Sequence, residues 1–195
     1  MAYIIVGLGN PGEEYTETRH NTGRILVSLL GKSLGAEWKT DSKLNAEVSK
    51  VKIAKTPLVL VLPNTFMNNS GKSLKTLIGS IKAAEKMVVI YDDLDLPFGA
   101  SKISFNRSSG GHKGLESIIK TIKTEKFARV RVGISPTTAT GKIRKPQGEE
   151  AVTKVIMGKF KTDEMSELKK LSKKIQIAVE TFVAEGLDKA MTGFN

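Results

Sequence analysis

The segment from Tyr3 to Gly7 is a short apolar run that passes directly into Gly7-Leu8-Gly9-Asn10-Pro11-Gly12. A buried strand ending in such a turn fixes where the chain can go next. Glycines 7, 9 and 12 satisfy G-x-G-x-x-G, the spacing of dinucleotide-binding turns. That fingerprint needs its third glycine to open a helix, whose N-terminus then receives the pyrophosphate. Here Pro11 and the polar run Glu13 to Glu17 intervene, and helical periodicity begins only near Asn21. No acidic residue closes a βαβ unit about 20 positions further on. A nicotinamide-dependent oxidoreductase is therefore disfavoured. What remains is a strand, a glycine turn and a polar loop carrying Asn10, Tyr15, Arg19 and His20. Loops after core strands often carry function, and imidazole titrates near neutrality. The plainer alternative for His20 is a structural histidine.

The remaining periodicities predict an alternation of strands and helices. Asn21 is placed to cap a helix reaching about Gly35, with Ile25, Leu26, Leu29, Leu30 and Leu34 on one face. Asn45 to Ala54 alternates, Lys55-Thr56-Pro57 turns, and Leu58 to Leu62 returns, which is a hairpin. A helix is expected from Ser70 to Lys82, and a strand buried on both faces from Met87 to Tyr91. A strand at Ser101 to Phe105, a helix at Lys113 to Ile122 and a strand at Phe127 to Ile134 follow. Ser135 to Glu149 reads as a polar loop, and a last helix runs from Thr162 to Glu185. The expectation is an α/β fold: a single three-layer domain over residues 1–195, with a mixed β-sheet and helices on both faces. Ligands of open α/β sheets sit beyond the carboxyl ends of strands. The loops Asn10–His20, Pro63–Ser70 and Asp92–Pro97 are therefore expected to converge.

Composition narrows the function classes. The 195 residues hold no cysteine, which excludes a disulfide framework and a thiolate zinc site. Two histidines disfavour a His-based metal cluster, so no metal and no cofactor are expected. No apolar stretch approaches the roughly 20 residues of a membrane span. The apolar run at Tyr3 to Val6 is too short for a signal peptide, so a cytoplasmic protein is expected. Lysine and arginine number 31 against 20 acidic residues, a formal charge of +11. Such an excess favours a polyanionic partner such as nucleic acid, the alternative being a solvated basic surface.

Further motifs follow the later strands. Pro63-Asn64-Thr65-Phe66-Met67-Asn68-Asn69-Ser70-Gly71 gathers amides after the hairpin. Asn69 and Ser70 suit a turn and cap, and Phe66 and Met67 are equally readable as core. Tyr91-Asp92-Asp93-Leu94-Asp95-Leu96-Pro97 brings three carboxylates, of which Asp92 and Asp95 read as solvated turn acids. Ser108-Ser109-Gly110-Gly111-His112-Lys113-Gly114-Leu115 is a glycine loop entering a helix. Together with Gly7 to Gly12, Tyr15 and Thr18-Arg19-His20-Asn21, these segments resemble the bacterial-type peptidyl-tRNA hydrolase family. The likeness runs from residue 3 to about 135, with a weaker echo at Val155 to Phe160 and in the C-terminal helix.

The resemblance implies a hydrolase that cleaves the ester between peptide and tRNA in prematurely released peptidyl-tRNA, and so recycles tRNA. It implies His20 as general base and Asp93 as its stabiliser, with water as nucleophile. A carboxylate on the second ring nitrogen would hold the tautomer and stabilise the imidazolium. Asn68 would steady the oxyanion, and Asn10 would distinguish a blocked peptide end from a free amine. Tyr15, Phe66 and Asn68 would line the channel for the peptide and the tRNA 3′ end, with Met67 beside them. His112 and Lys113 complete the implied substrate-binding set, although His112 reads at least as well as a helix-start residue. The family usually has Asn where this chain has Lys113. Lysine only donates and adds charge, so a phosphate or ribose contact is expected there instead. Lys102, Arg107, Lys113, Arg129 and Arg131 are expected to meet tRNA phosphates on a basic face, with Lys142 to Lys145 as a rim of the cleft. A monomer is expected by analogy. The rival reading is a non-catalytic RNA-binding homologue on the same fold.

Overall fold

The computed structural model describes residues 2–195. Seven strands form one sheet in the order β2-β3-β4-β1-β5-β7-β6. They are β1 (Tyr3–Gly7), β2 (Lys39–Asp41), β3 (Ala46–Ile53), β4 (Thr56–Pro63), β5 (Met87–Pro97), β6 (Ser101–Phe105) and β7 (Ala128–Ser135). The central neighbours β4, β1, β5 and β7 run parallel. The flanking pairs β2/β3, β3/β4 and β6/β7 run antiparallel. The mixed sheet expected from the hairpin and the apolar runs is thus present.

Two apolar clusters cover the two sheet faces. On one, α1 (Thr22–Ser33), α5 (Thr162–Glu185) and α6 (Leu187–Phe194) bring Leu26, Leu30, Leu168, Leu171, Ile175, Val179, Phe182 and Phe194 against Ile5, Val88, Ile90 and Val130. These helix positions recur every three or four residues, which gives each helix one continuous apolar stripe. On the other, α3 (Lys113–Ile122) and the 3-10 segment Met67–Leu74 bring Leu74, Leu115 and Ile118 against Val6, Val61 and Val89. Each fully buried Leu or Ile contributes about 1.5–3 kcal/mol.

Several elements differ from the sequence expectation. The helix expected over Ser70 to Lys82 is instead the 3-10 segment Met67–Leu74 followed by the short α2 (Ile81–Ala84). The Ser70 hydroxyl donates to the Met67 carbonyl at 2.8 Å. The Gly71 amide donates to Ser117 Oγ at 3.0 Å, which ties the segment to α3. Ser80 then caps α2 by accepting from the Ala83 amide. Between the polar loop and the last helix, where the sequence reading gives no element, the chain forms α4 (Glu149–Met157). Strand β5 runs on to Pro97, with an irregular register between Asp93 and Pro97. The acidic cluster therefore begins on a strand and not in a turn. Strand β2 and helix α6 were not anticipated; β2 is only three residues long and largely exposed.

The glycines of the first turn serve close packing. A Cβ on Gly23 would stand 2.0 Å from the Ile90 carbonyl oxygen, and one on Gly7 would stand 2.6 Å from that of Gly23. Their absence lets α1 lie directly on β1 and β5 and sets the height of the loop carrying His20. Gly12 opens only the 3-10 turn Glu13–Tyr15, with φ 109°, so no helix N-terminus is offered to a pyrophosphate. Among the described residues no helix is long and apolar enough to cross a membrane.

Candidate active site

The loop after β1 folds into the 3-10 turn Arg19–Asn21, and His20 is buried on it. Several bonds hold this turn. The Arg19 amide donates to the Gly158 carbonyl at 2.9 Å, and the Phe160 amide donates to the Glu17 carbonyl at 2.9 Å. Arg19 forms a bidentate pair with Glu164 at 2.6 and 2.8 Å. Its guanidinium also lies 4.8 Å from the centre of the Phe160 ring. The segment at Val155 to Phe160 is therefore a strap on the far side of the first loop.

The carboxylate that meets His20 belongs to Asp92, which corrects the expected Asp93. His20 Nδ1 lies 3.0 and 3.1 Å from the two oxygens of Asp92. Asp93 Oδ2 instead accepts from Arg131 Nε at 2.7 Å. The reason is the period of a strand. Successive residues point to opposite faces, so only one of two neighbouring carboxylates can reach the imidazole. Nor is Asp92 a solvated turn acid; it is 4% exposed.

His112 completes this cluster. It caps α3 by accepting from the Leu115 amide at Nδ1, at 3.4 Å. Its Nε2 lies 3.1 Å from Asp92 Oδ1. With Nδ1 an acceptor, Nε2 carries the proton and donates to Asp92. The helix-start reading of His112 thus holds, with a second bond the sequence did not reveal. His20 has Nδ1 turned to the same carboxylate, so its Nε2 keeps a free lone pair. Burial opposes ionisation of Asp92, yet the two imidazoles outweigh it and hold the carboxyl well below its usual range. Burial likewise disfavours the His20 imidazolium, but the charge and hydrogen bond of Asp92 raise its pKa above the ordinary 6.5. The two histidines, expected to be too few for a metal cluster, do converge: ligating atoms of His20, Asp92 and His112 lie within 4.8 Å of one another. Both nitrogens facing Asp92 would have to lose their protons before the three could ligate a cation.

The amide residues form a second layer. Asn10 Oδ1 accepts from the Met67 amide at 2.8 Å, joining the first loop to the one after β4. Asn21, expected as a helix cap, makes no capping bond. Its side chain accepts from the Asn10 amide at 2.8 Å and donates to the Asn10 carbonyl at 2.9 Å. Asn68 is exposed. Phe66 is 58% exposed and, with Pro11, Asn45, Thr65, Asn69 and Lys72, walls a cleft of about 270 Å³. Met67, expected beside the channel or in the core, takes the core place. It is 5% exposed, in the core beneath the loops, where its sulfur would stand 2.6 Å from a Cβ on Gly114. Tyr15 is half-buried at the end of its 3-10 turn.

Of the basic residues expected at phosphates, Lys102, Arg107 and Lys113 are exposed. Lys113 Nζ lies 3.6 Å from Glu116. Lys145 pairs with Asp95, which draws the polar loop towards the end of β5. Arg129 is a correction: it is 0% exposed and cannot reach a phosphate. Both faces of β7 are covered, which takes this expected phosphate contact into the interior.

The sequence and the fold recur in known proteins. A sequence model of the peptidyl-tRNA hydrolase family matches residues 4–195. The peptidyl-tRNA hydrolase of Aquifex aeolicus is 40% identical over 172 residues, 88% of this chain and 84% of that protein. That of Bdellovibrio bacteriovorus is 36% identical over 99% of both chains. The crystal structure of peptidyl-tRNA hydrolase from Acinetobacter baumannii superposes with a TM-score of 0.87 at 31% identity, covering 100% of this chain and 94% of the other. With a shared fold and a sequence match over residues 4–195, the chain belongs to the peptidyl-tRNA hydrolase family.

Proposed function

We propose that this protein hydrolyses the ester between a peptide and the ribose of tRNA, freeing tRNA from prematurely released peptidyl-tRNA. The observation that carries the reading is the buried His20–Asp92 pair with Nε2 of His20 left free. Nε2 takes a proton from water, the hydroxide attacks the ester carbonyl, and the Asn68 amide donates to the developing oxyanion. Collapse of the tetrahedral intermediate expels the ribose oxygen, to which the His20 imidazolium returns the proton. Asp92 holds the tautomer and offsets the transient positive charge. Asn10, with Oδ1 committed to the Met67 amide, has its amide nitrogen left for the substrate's blocked end. Phe66 and Tyr15 bound the path of the peptide. The exposed Lys102, Arg107 and Lys113 supply sequence-independent phosphate contacts, as an enzyme acting on many tRNAs requires. The sheet and its two helix layers act as one domain, working as a monomer in the cytoplasm.

Incubation with N-acetylated aminoacyl-tRNA tests the reading. The wild type releases the acylated amino acid, whereas His20→Ala does not and Asp92→Asn does so only at a small fraction of the rate. Retention of intact substrate by the wild type would instead indicate a non-catalytic RNA-binding protein.

A further inference from the structure

Arg129 is the largest fully buried side chain among the described residues, and the chemistry above makes no use of it. It sits on β7 opposite Ser104 of β6 and Val89 of β5. Its Nη1 donates to the Ser108 carbonyl at 2.6 Å, and its Nη2 donates to the Arg107 carbonyl. Its guanidinium carbon lies 4.5 Å from the centre of the Phe127 ring. Nε has no hydrogen-bond partner, and among the described residues no carboxylate lies within ion-pair distance. Burying an unpaired cation is costly, and an apolar side chain of similar shape would avoid the cost. The two carbonyls it binds begin the stretch that leads to His112.

That stretch needs an external anchor. Asn106, Gly110 and Gly111 have φ of 51°, 60° and 83°, so the chain turns repeatedly through left-handed conformations. Inside it are one backbone bond, from the His112 amide to the Ser109 carbonyl, and one from the Gly111 amide to Ser109 Oγ. A second path joins Arg129 to the same histidine. Tyr91, close enough to feel the guanidinium's charge, packs edge-on against His112 with ring centres 5.0 Å apart.

We propose that Arg129 is a positioning residue: its buried guanidinium fixes the Arg107 and Ser108 carbonyls so that His112 reaches Asp92, and through Asp92 it sets the orientation of His20. The proposal rests on the catalytic reading of the His20–Asp92 pair for its kinetic consequence, but not for its geometric one. A carboxylate held by two imidazoles has one available rotamer; a carboxylate held by one can turn away. A misplacement of about 1 Å at such a centre can cost as much as a hundredfold in rate.

The experiment compares Arg129→Met, His112→Ala and the double variant. The protein has two histidines, so the His112 ring signals in a nitrogen-15 spectrum are assigned by their loss in His112→Ala. In Arg129→Met the Asp92-bonded ring N–H of His112 is expected to shift or vanish. Turnover on N-acetylated aminoacyl-tRNA should fall about tenfold or more with KM nearly unchanged, and the double variant should be no slower than the slower single variant. An unchanged His112 signal, or losses that add in the double variant, would overturn the proposal even where melting temperature falls. Arg129→Lys keeps the charge and reaches one carbonyl. It carries the same two readouts should Arg129→Met not fold, and an undisturbed His112 signal there is equally fatal. Because the spectrum is read without substrate, a wild type inactive on the ester would sink the catalytic reading while leaving this geometry testable.

Discussion

Asp92 and Asp93 are neighbours in the chain but belong to different networks. Asp92 is bonded to His20 and His112, and Asp93 to Arg131. The two isosteric substitutions should therefore separate. Asp92→Asn leaves one oxygen for two imidazole donors, sets an N–H donor where the other oxygen was and removes the charge; it is expected to lower kcat by about 10²–10⁴-fold. Asp93→Asn weakens a partly exposed pair with Arg131, costs about 1 kcal/mol of stability, and leaves kcat nearly unchanged. Steady-state kinetics with melting curves on both variants decide the matter. A larger kinetic defect in Asp93→Asn would contradict the assignment.

The same pair predicts a pH dependence. The base must be neutral, and Asp92 raises the His20 pKa above 6.5. The acidic limb of kcat/KM is expected above pH 6.5. In Asp92→Asn burial remains and the attraction is lost, so the limb of any residual activity should move below 6.5. Stability follows by linkage. The raised pKa of His20 contributes stability that is present below 6.5 and lost as pH rises through its folded value. The lowered pKa of Asp92 contributes stability that is present above its ordinary 3.8 and lost as pH falls through its folded value. Both contributions are whole between those two values. The difference in melting temperature between wild type and Asp92→Asn should be largest there.

The sequence carried much of this, for identifiable reasons. Helices α3 and α5 were readable to their end residues because each has one apolar stripe. The three loops were expected to converge because parallel strands place their carboxyl ends on one side. The Asp92/Asp93 choice was not readable. Met87 to Tyr91 is buried on both faces, so its hydrophobicity does not say which face holds His20. Alternation did carry a usable signal, namely that the two carboxylates must diverge. Asn21 was missed because Asn before a helix suits a cap as well as a backbone clamp on Asn10. Arg129 reads in the sequence as one more cation for tRNA phosphates, and only the cover over β7 overrules that.

Glycine substitutions separate close packing from mere presence. At Gly23 a Cβ would stand 2.0 Å from the Ile90 carbonyl oxygen and 2.6 Å from the Leu8 nitrogen, both backbone atoms that cannot yield cheaply. Gly23→Ala should cost at least about 1–3 kcal/mol through overpacking, and activity should fall as the His20 loop shifts. At Gly79 a Cβ meets nothing within 4 Å. Gly79→Ala should be neutral or stabilise by about 0.4–1 kcal/mol through the unfolded chain. Urea unfolding of the two variants checks both signs, and a mild Gly23→Ala would mean that α1 is not seated by this contact.

Lys113 is the first residue of α3, directly after His112, and its side chain is 70% exposed with Glu116 at 3.6 Å as its ion-pair partner. An exposed pair of this kind contributes at most about 1 kcal/mol, so Lys113→Asn should barely move the melting temperature. If the ammonium neutralises one phosphate near the acylated end, its removal should raise KM and leave kcat unchanged. The slope of log KM against log salt should then fall by about 0.7–0.9. Faster turnover with unchanged KM and slope would instead mean that the cation touches nothing, and that an amide at this position serves the chemistry. Kinetics at several salt concentrations distinguish the outcomes, because a phosphate contact alters the salt slope and a chemical role does not.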